Sequence, residues 1–116
     1  MMQKTSGAKP NTRLVVKGAR RKEFSVANEF KSQGNSYFVS LEYPNAIECY
    51  TKCLNSIKDG VDPPEMRTVV LSNRAQSYLK LKAHLKAFDD ANEALELDPT
   101  HLKSLGRRGT ASFYLK

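Results

Sequence analysis

The sequence predicts an all-α fold, a row of antiparallel helical hairpins stacked as an α-solenoid, and three observations predict it. From about residue 24 to the end, apolar residues recur three or four positions apart, the spacing of one helix face. Proline and glycine cut that pattern into five segments of helical length. The segments then repeat one another around the small residues Gly34, Ala75 and Gly109.

The first segment carries Phe24, Ala27, Phe30, Gly34, Tyr37, Phe38 and Leu41 on a single stripe. Pro44 follows where the first turn of a new helix accepts proline, because the N–H it lacks would have no partner there. Ala46, Ile47, Tyr50, Cys53, Leu54 and Ile57 continue as the second stripe. Lys58-Asp59-Gly60-Val61-Asp62-Pro63-Pro64 is turn chemistry: a glycine past a helix end, then two prolines that cannot extend it. The third helix reads through Val70, Leu71, Ala75, Tyr78, Leu79 and Leu81. The fourth reads through Ala87, Phe88, Ala91, Ala94, Leu95 and Leu97 to Asp98-Pro99. The fifth opens near Thr100 and runs through Leu102, Leu105, Gly109 and Phe113 to the last residue. Gly106 and Gly109 weaken it by about 1 kcal/mol each relative to alanine.

Aligned on Gly34 and Ala75, the first two hairpins match at offsets −4, +3, +12, +16 and +19: Phe30, Tyr37, Ala46, Tyr50 and Cys53 against Leu71, Tyr78, Ala87, Ala91 and Ala94. From Ala75 to Gly109 is 34 residues. A small residue where two helices cross lets their backbones approach to about 8–10 Å. These residues resemble the tetratricopeptide repeat family over roughly 24–116, a period of 34 included. The resemblance implies a right-handed solenoid of two full repeats (about 27–67 and 68–101) and the first helix of a third (about 102–116), in a domain spanning 23–116. Gly34 lies 41 residues before Ala75 instead of 34. The seven extra residues, between about 55 and 68, are expected in an extended second helix and its turn. Part of the fifth helix's stripe (some of Leu105, Phe113, Tyr114 and Leu115) has no partner helix. That leaves self-association, docking to a further repeat, or fraying open.

In such arrays the first helix of each hairpin lines the concave face. Off the apolar stripes, those helices carry Lys31 and Asn35, then Asn73, then Lys103 and Arg107. This set looks like the carboxylate clamp of Hsp70- and Hsp90-binding co-chaperones: Lys-x3-Asn in the first repeat, Asn two before the small residue in the second, Lys-x3-Arg in the third. The resemblance implies a peptide-binding module for the acidic chaperone C-terminus that ends Glu-Glu-Val-Asp. Its terminal aspartate presents two carboxylates on one residue, which calls for several convergent donors. Lys31, Asn35 and Asn73 would take one; Lys103 and Arg107 would take the other or a preceding acid, with arginine able to fork two parallel bonds. Phe38, one turn beyond Asn35, would wall a pocket for the neighbouring apolar residue. Tyr37 and Tyr78 are expected in the core, Lys31 and Arg107 exposed and free of core contacts. Arg74 and Arg108 are expected to be solvated or paired to acids, and Lys80, Lys82, His84 and Lys86 to form a solvated hairpin loop.

Charge points the same way. Seven of the 19 Lys and Arg residues fall in 1–22, which holds no acid; the remaining 12 balance all 12 Asp and Glu. Residues 1–22 are thus expected to be a basic, disordered tail, and Pro10 and Gly18 argue against the amphipathic helix of a mitochondrial presequence. A nucleic-acid binder acting through that tail is one alternative, weakened because the stretch has no aromatic platform before Phe24. A groove for some other acidic partner, in complex assembly or import, is the second. No small-molecule substrate, cofactor or metal site is expected, and no catalytic set marks an enzyme. Cys49-x3-Cys53 is neither a zinc nor a redox spacing, so both are expected as buried thiols in the reducing cytoplasm. No apolar run is long enough to span a membrane.

Overall fold

The computed structural model describes residues 25–116 and folds them as five helices: α1 (Val26–Val39), α2 (Tyr43–Leu54), α3 (Met66–Lys80), α4 (His84–Leu97) and α5 (Leu102–Tyr114). The basic tail and Phe24 lie outside the described residues. Each helix packs on the next, and α3 also touches α5. The chain therefore makes two hairpins, α1–α2 and α3–α4, with α5 laid against both helices of the second. α3 touches α5 directly, α1 meets α3 through the side chains of Asn35 and Asn73, and this row carries the site.

Both hairpins close in the same way. At the end of α1 the Leu41 N–H bonds the Phe38 carbonyl (3.0 Å) and the Glu42 N–H bonds that of Tyr37 (2.9 Å). At the end of α3, Lys82 bonds Leu79 (3.0 Å) and Ala83 bonds Tyr78 (2.9 Å). These are paired Schellman closures, which put the residue after the cap in the left-handed region. Leu41 (φ 64°) and Lys82 (φ 61°) occupy it without being glycine. The turn ends α1 two residues before the apolar stripe suggests.

The inserted residues do not extend α2. It stops at Leu54, and the surplus forms the link of residues 55–65, correcting the expectation of a longer second helix. The link is fastened to the start of the domain. Ser25, the N-cap of α1, accepts from the Asn28 N–H (2.9 Å) and donates its hydroxyl proton to the buried Asp62, whose other oxygen accepts from the Lys58 N–H (2.8 Å). The Ser25 bond, with that of Lys58, holds the Asp62 carboxyl below its usual range. Ile57, although off the helix, still packs on the core.

That core is built from Ala27, Ala46, Tyr50, Cys53, Leu54, Met66, Val70, Leu71 and Ala94, with Phe30, Phe38 and Ile57 against it. Ala75, Ala87 and Ala91 are fully buried. The aligned small positions differ in their surroundings. A Cβ on Gly34 would stand 2.7 Å from two ring carbons of Tyr50, whereas one on Gly109 would meet nothing within 4 Å. Tyr37, expected in the core, is 38% exposed. Lys80 and His84 belong to α3 and α4, Lys86 to the first turn of α4, and only Lys82 to the turn itself. His84 is not simply solvated either, since it stacks on Tyr114 with ring centroids 4.6 Å apart. Among the described residues no helix is long and apolar enough to cross a membrane, and no three His, Cys, Asp or Glu side chains group to hold a metal.

Candidate functional site

The row α1, α3, α5 turns one polar side of each helix into a common cavity of about 350 Å³. Asn35 and Phe38 reach it from α1, Asn73 from α3, and Lys103 and Arg107 from α5, so five of the six expected site residues line one space. Lys31 does not line it; it lies partly buried one helical turn before Asn35. Val39, Tyr50 and Gln76 complete the wall.

Arg107 sets the character of the cavity. Its Nη1 donates to the Ser72 carbonyl (3.0 Å) and to Ser72 Oγ (2.6 Å), and its Nε donates to Gln76 Oε1 (3.1 Å). The expectation of a free side chain is therefore corrected: Arg107 is partly buried and tied to α3. All its acceptors are neutral. Among the described residues none of Arg107, Lys103 and Lys31 has a carboxylate within ion-pair distance. Desolvation accordingly pulls the guanidinium below the usual arginine range, against a small opposing pull from Tyr50. Arg74, on the other face of α3, shows what a compensated cation looks like. Its Nε and Nη2 fork onto the buried Asp90 at 2.7 and 2.8 Å, and its Nη1 donates to Thr51 Oγ1 (3.0 Å). Hydrogen bonding to Asp90 raises the Arg74 pKa.

The two amides are linked. Asn73 Nδ2 approaches Asn35 Oδ1 at 3.4 Å, and the Tyr50 hydroxyl donates to the same oxygen at 2.6 Å. Tyr50 is 1% exposed, and burial pushes its phenol up to about 12, against a smaller lowering by Arg107. Chemically the cavity offers two cations and two side-chain amides beside the apolar surface of Phe38 and Val39. That combination suits a short anionic segment with an apolar neighbour.

Sequence reasoning missed Gln76, Ser72 and Tyr50. Gln76 was findable, since it stands three residues after Asn73 on the same helix face. Ser72 and Tyr50 gave no such signal: Tyr50 read as a core position, nothing set Ser72 apart, and only the crossing of helices brings them to the site.

No protein-family model matches the chain. Protein unc-45 homolog B of Xenopus laevis is 41% identical over 80 residues, which is 69% of this chain and 8% of that protein. The chain spans about a tenth of the length of the curated relatives it matches. Among solved structures, the second TPR of Spaghetti (RPAP3) bound to the HSP90 peptide SRMEEVD is 36% identical with a TM-score of 0.67, covering 77% of this chain and 76% of that one. The TPR2B domain of yeast Sti1 in complex with an Hsp70 peptide is 31% identical with a TM-score of 0.66, covering 77% and 66%.

Proposed function

The chain belongs to the tetratricopeptide-repeat family, and from that premise we propose that its groove binds the acidic C-terminal peptide of an Hsp70- or Hsp90-type chaperone, gripping the terminal carboxylates. The observation that carries the reading is Arg107: a partly buried cation held by neutral acceptors, at the wall of a cavity it shares with Lys103, Asn35 and Asn73. A site of that kind is short of one or two negative charges, and a C-terminal aspartate supplies two. The solved relatives that hold peptides ending in Glu-Glu-Val-Asp support the choice of ligand.

In this reading Asn35 and Asn73 donate to one carboxylate while Lys103 and Arg107 receive the other. Phe38 and Val39 cover the adjacent valine. Lys31 joins by swinging its flexible stem from the turn before Asn35. Each charge-assisted bond contributes about 1.5–3 kcal/mol, and ordering the peptide offsets much of the sum. The balance is an affinity of order micromolar, about −8 kcal/mol. A cytoplasmic location belongs to the same proposal, in keeping with the two buried free thiols Cys49 and Cys53.

The experiment is a titration of ¹⁵N-labelled protein with a Glu-Glu-Val-Asp peptide. Shifts concentrated on α1, α3 and α5 around Asn35, Asn73, Lys103 and Arg107 are expected. Shifts confined to residues 1–22 or to the outer face of α4 would overturn the reading.

A further inference from the structure

We infer that Tyr50 is a positioning residue for this site: its hydroxyl fixes which end of the Asn35 amide faces the groove. The inference rests on the peptide-binding reading above for its consequence, and on the apo geometry for its substance.

An asparagine side chain can present either its oxygen or its NH₂ to a groove, and only the NH₂ can serve a carboxylate. Left free, Asn35 on an exposed turn of α1 would sample both. Here Oδ1 is occupied from behind. It accepts from the Tyr50 hydroxyl at 2.6 Å and is approached by Asn73 Nδ2 at 3.4 Å, which uses both of its lone pairs and turns Nδ2 outward. The direction of the Tyr50 bond is itself fixed. An amide oxygen only accepts, so the phenol is the donor. Burial, which keeps the phenol protonated to high pH, preserves that donor.

The ring reaches this position because residue 34 is glycine. Tyr50 lies so close over Gly34 that a Cβ there would meet Cδ1 and Cε1 at 2.7 Å and Cζ at 3.2 Å, and Asn35 is the next residue. The second hairpin shows that packing alone does not demand a tyrosine. Its aligned pair is Ala75 and Ala91, both fully buried, and it closes without any hydroxyl. The Gly34–Tyr50 pair therefore supplies something the Ala75–Ala91 pair does not: a donor delivered across the helix crossing to the back of a groove residue.

The test is Tyr50→Phe, which keeps the ring, examined with Asn35→Ala in a double-mutant cycle. Tyr50→Phe is expected to weaken binding of a free-acid Glu-Glu-Val-Asp peptide about five- to tenfold, the scale of one hydrogen bond. In the Asn35→Ala background it is expected to change affinity no further. In the peptide-free protein, the Asn35 side-chain Hδ2 cross-peaks should shift in Tyr50→Phe while backbone cross-peaks away from the Gly34–Tyr50 crossing stay in place, which a general loss of packing would not produce. Should Tyr50→Phe fail to fold, Asn35→Asp keeps the acceptor for Tyr50 and removes the outward donor. It should retain the wild-type melting temperature and lose the peptide. Unchanged Asn35 resonances with unchanged affinity in Tyr50→Phe, or wild-type affinity in Asn35→Asp, would overturn the inference. A wild-type protein that ignores the peptide while Tyr50→Phe still shifts the Asn35 side-chain resonances would instead sink the peptide reading and leave the positioning role standing.

Discussion

Replacing Arg107 by alanine separates binding from folding in a way the structure allows to be worked out. Three hydrogen bonds to α3 are lost, and Ser72 Oγ, on a residue 1% exposed, loses its donor. Against this, a desolvated cation with only neutral acceptors is no longer held out of water. The two effects oppose, and the net loss is about 1–2 kcal/mol, a fall in Tm of roughly 4–8 °C per kcal/mol for a domain of this size. Binding has no such offset. Losing the charge-assisted contact of Nη2, the arm not tied to α3, removes about 1.5–3 kcal/mol, roughly 10- to 150-fold in affinity. Arg74→Ala is the control. It strands the buried Asp90, for which about 3–5 kcal/mol is the expected cost. Thermal melts and peptide titrations, the latter at a temperature where each variant is folded, read both quantities. The reasoning fails if Arg107→Ala keeps wild-type affinity, or if its Tm falls as far as that of Arg74→Ala.

Three further outcomes follow from the fold. Gly34→Ala should destabilise by about 1–3 kcal/mol, since the buried Tyr50 ring cannot retreat, while Gly109→Ala should stabilise by up to about 1 kcal/mol through helix propensity; denaturant melts that give both the same sign would contradict the packing account. Leu41→Gly and Lys82→Gly, each relieving a left-handed residue in a Schellman closure, should raise stability by about 0.5–1 kcal/mol, read in the same melts. Burial raises Cys53 from 9.0 to about 11 and Tyr50 from 10.0 to about 12, so their contribution is complete below pH 9 and is lost as pH rises through 11 and 12. A Tm that declines across that alkaline range in the wild type, and less in Tyr50→Phe, is the expected profile.

How far the sequence could be read depends on what each residue touches. The helices were legible because burial of one face forces apolar spacing on the chain, and Gly34 marked the repeat because its close crossing demands a small residue, whereas Gly109 matched in register with open space beside it. Asn35, Asn73, Lys103 and Arg107 stood out for the complementary reason: they are polar at matched depth on groove-lining helices. The link after α2 misled, because residues 55–57 keep an apolar rhythm that suits a helix, yet the Asp62 bonds to Ser25 and to the Lys58 N–H fold that stretch back instead. The support behind the site was illegible for a different reason. Tyr50 lies on an apolar stripe, and its reach into the groove and that of Arg107 to Ser72 depend on how closely the helices cross. Arg107 read as free because nothing within α5 indicates a carbonyl of α3 beneath it.

The central claim is that this groove recognises carboxylates at a peptide's free end, and calorimetry of one peptide in two forms tests it most directly. A Glu-Glu-Val-Asp peptide with a free C-terminus should bind with order-micromolar affinity. The same peptide with its C-terminus amidated, which deletes one of the two convergent carboxylates, should lose most of that affinity. Equal binding of the acid and the amide would contradict the account.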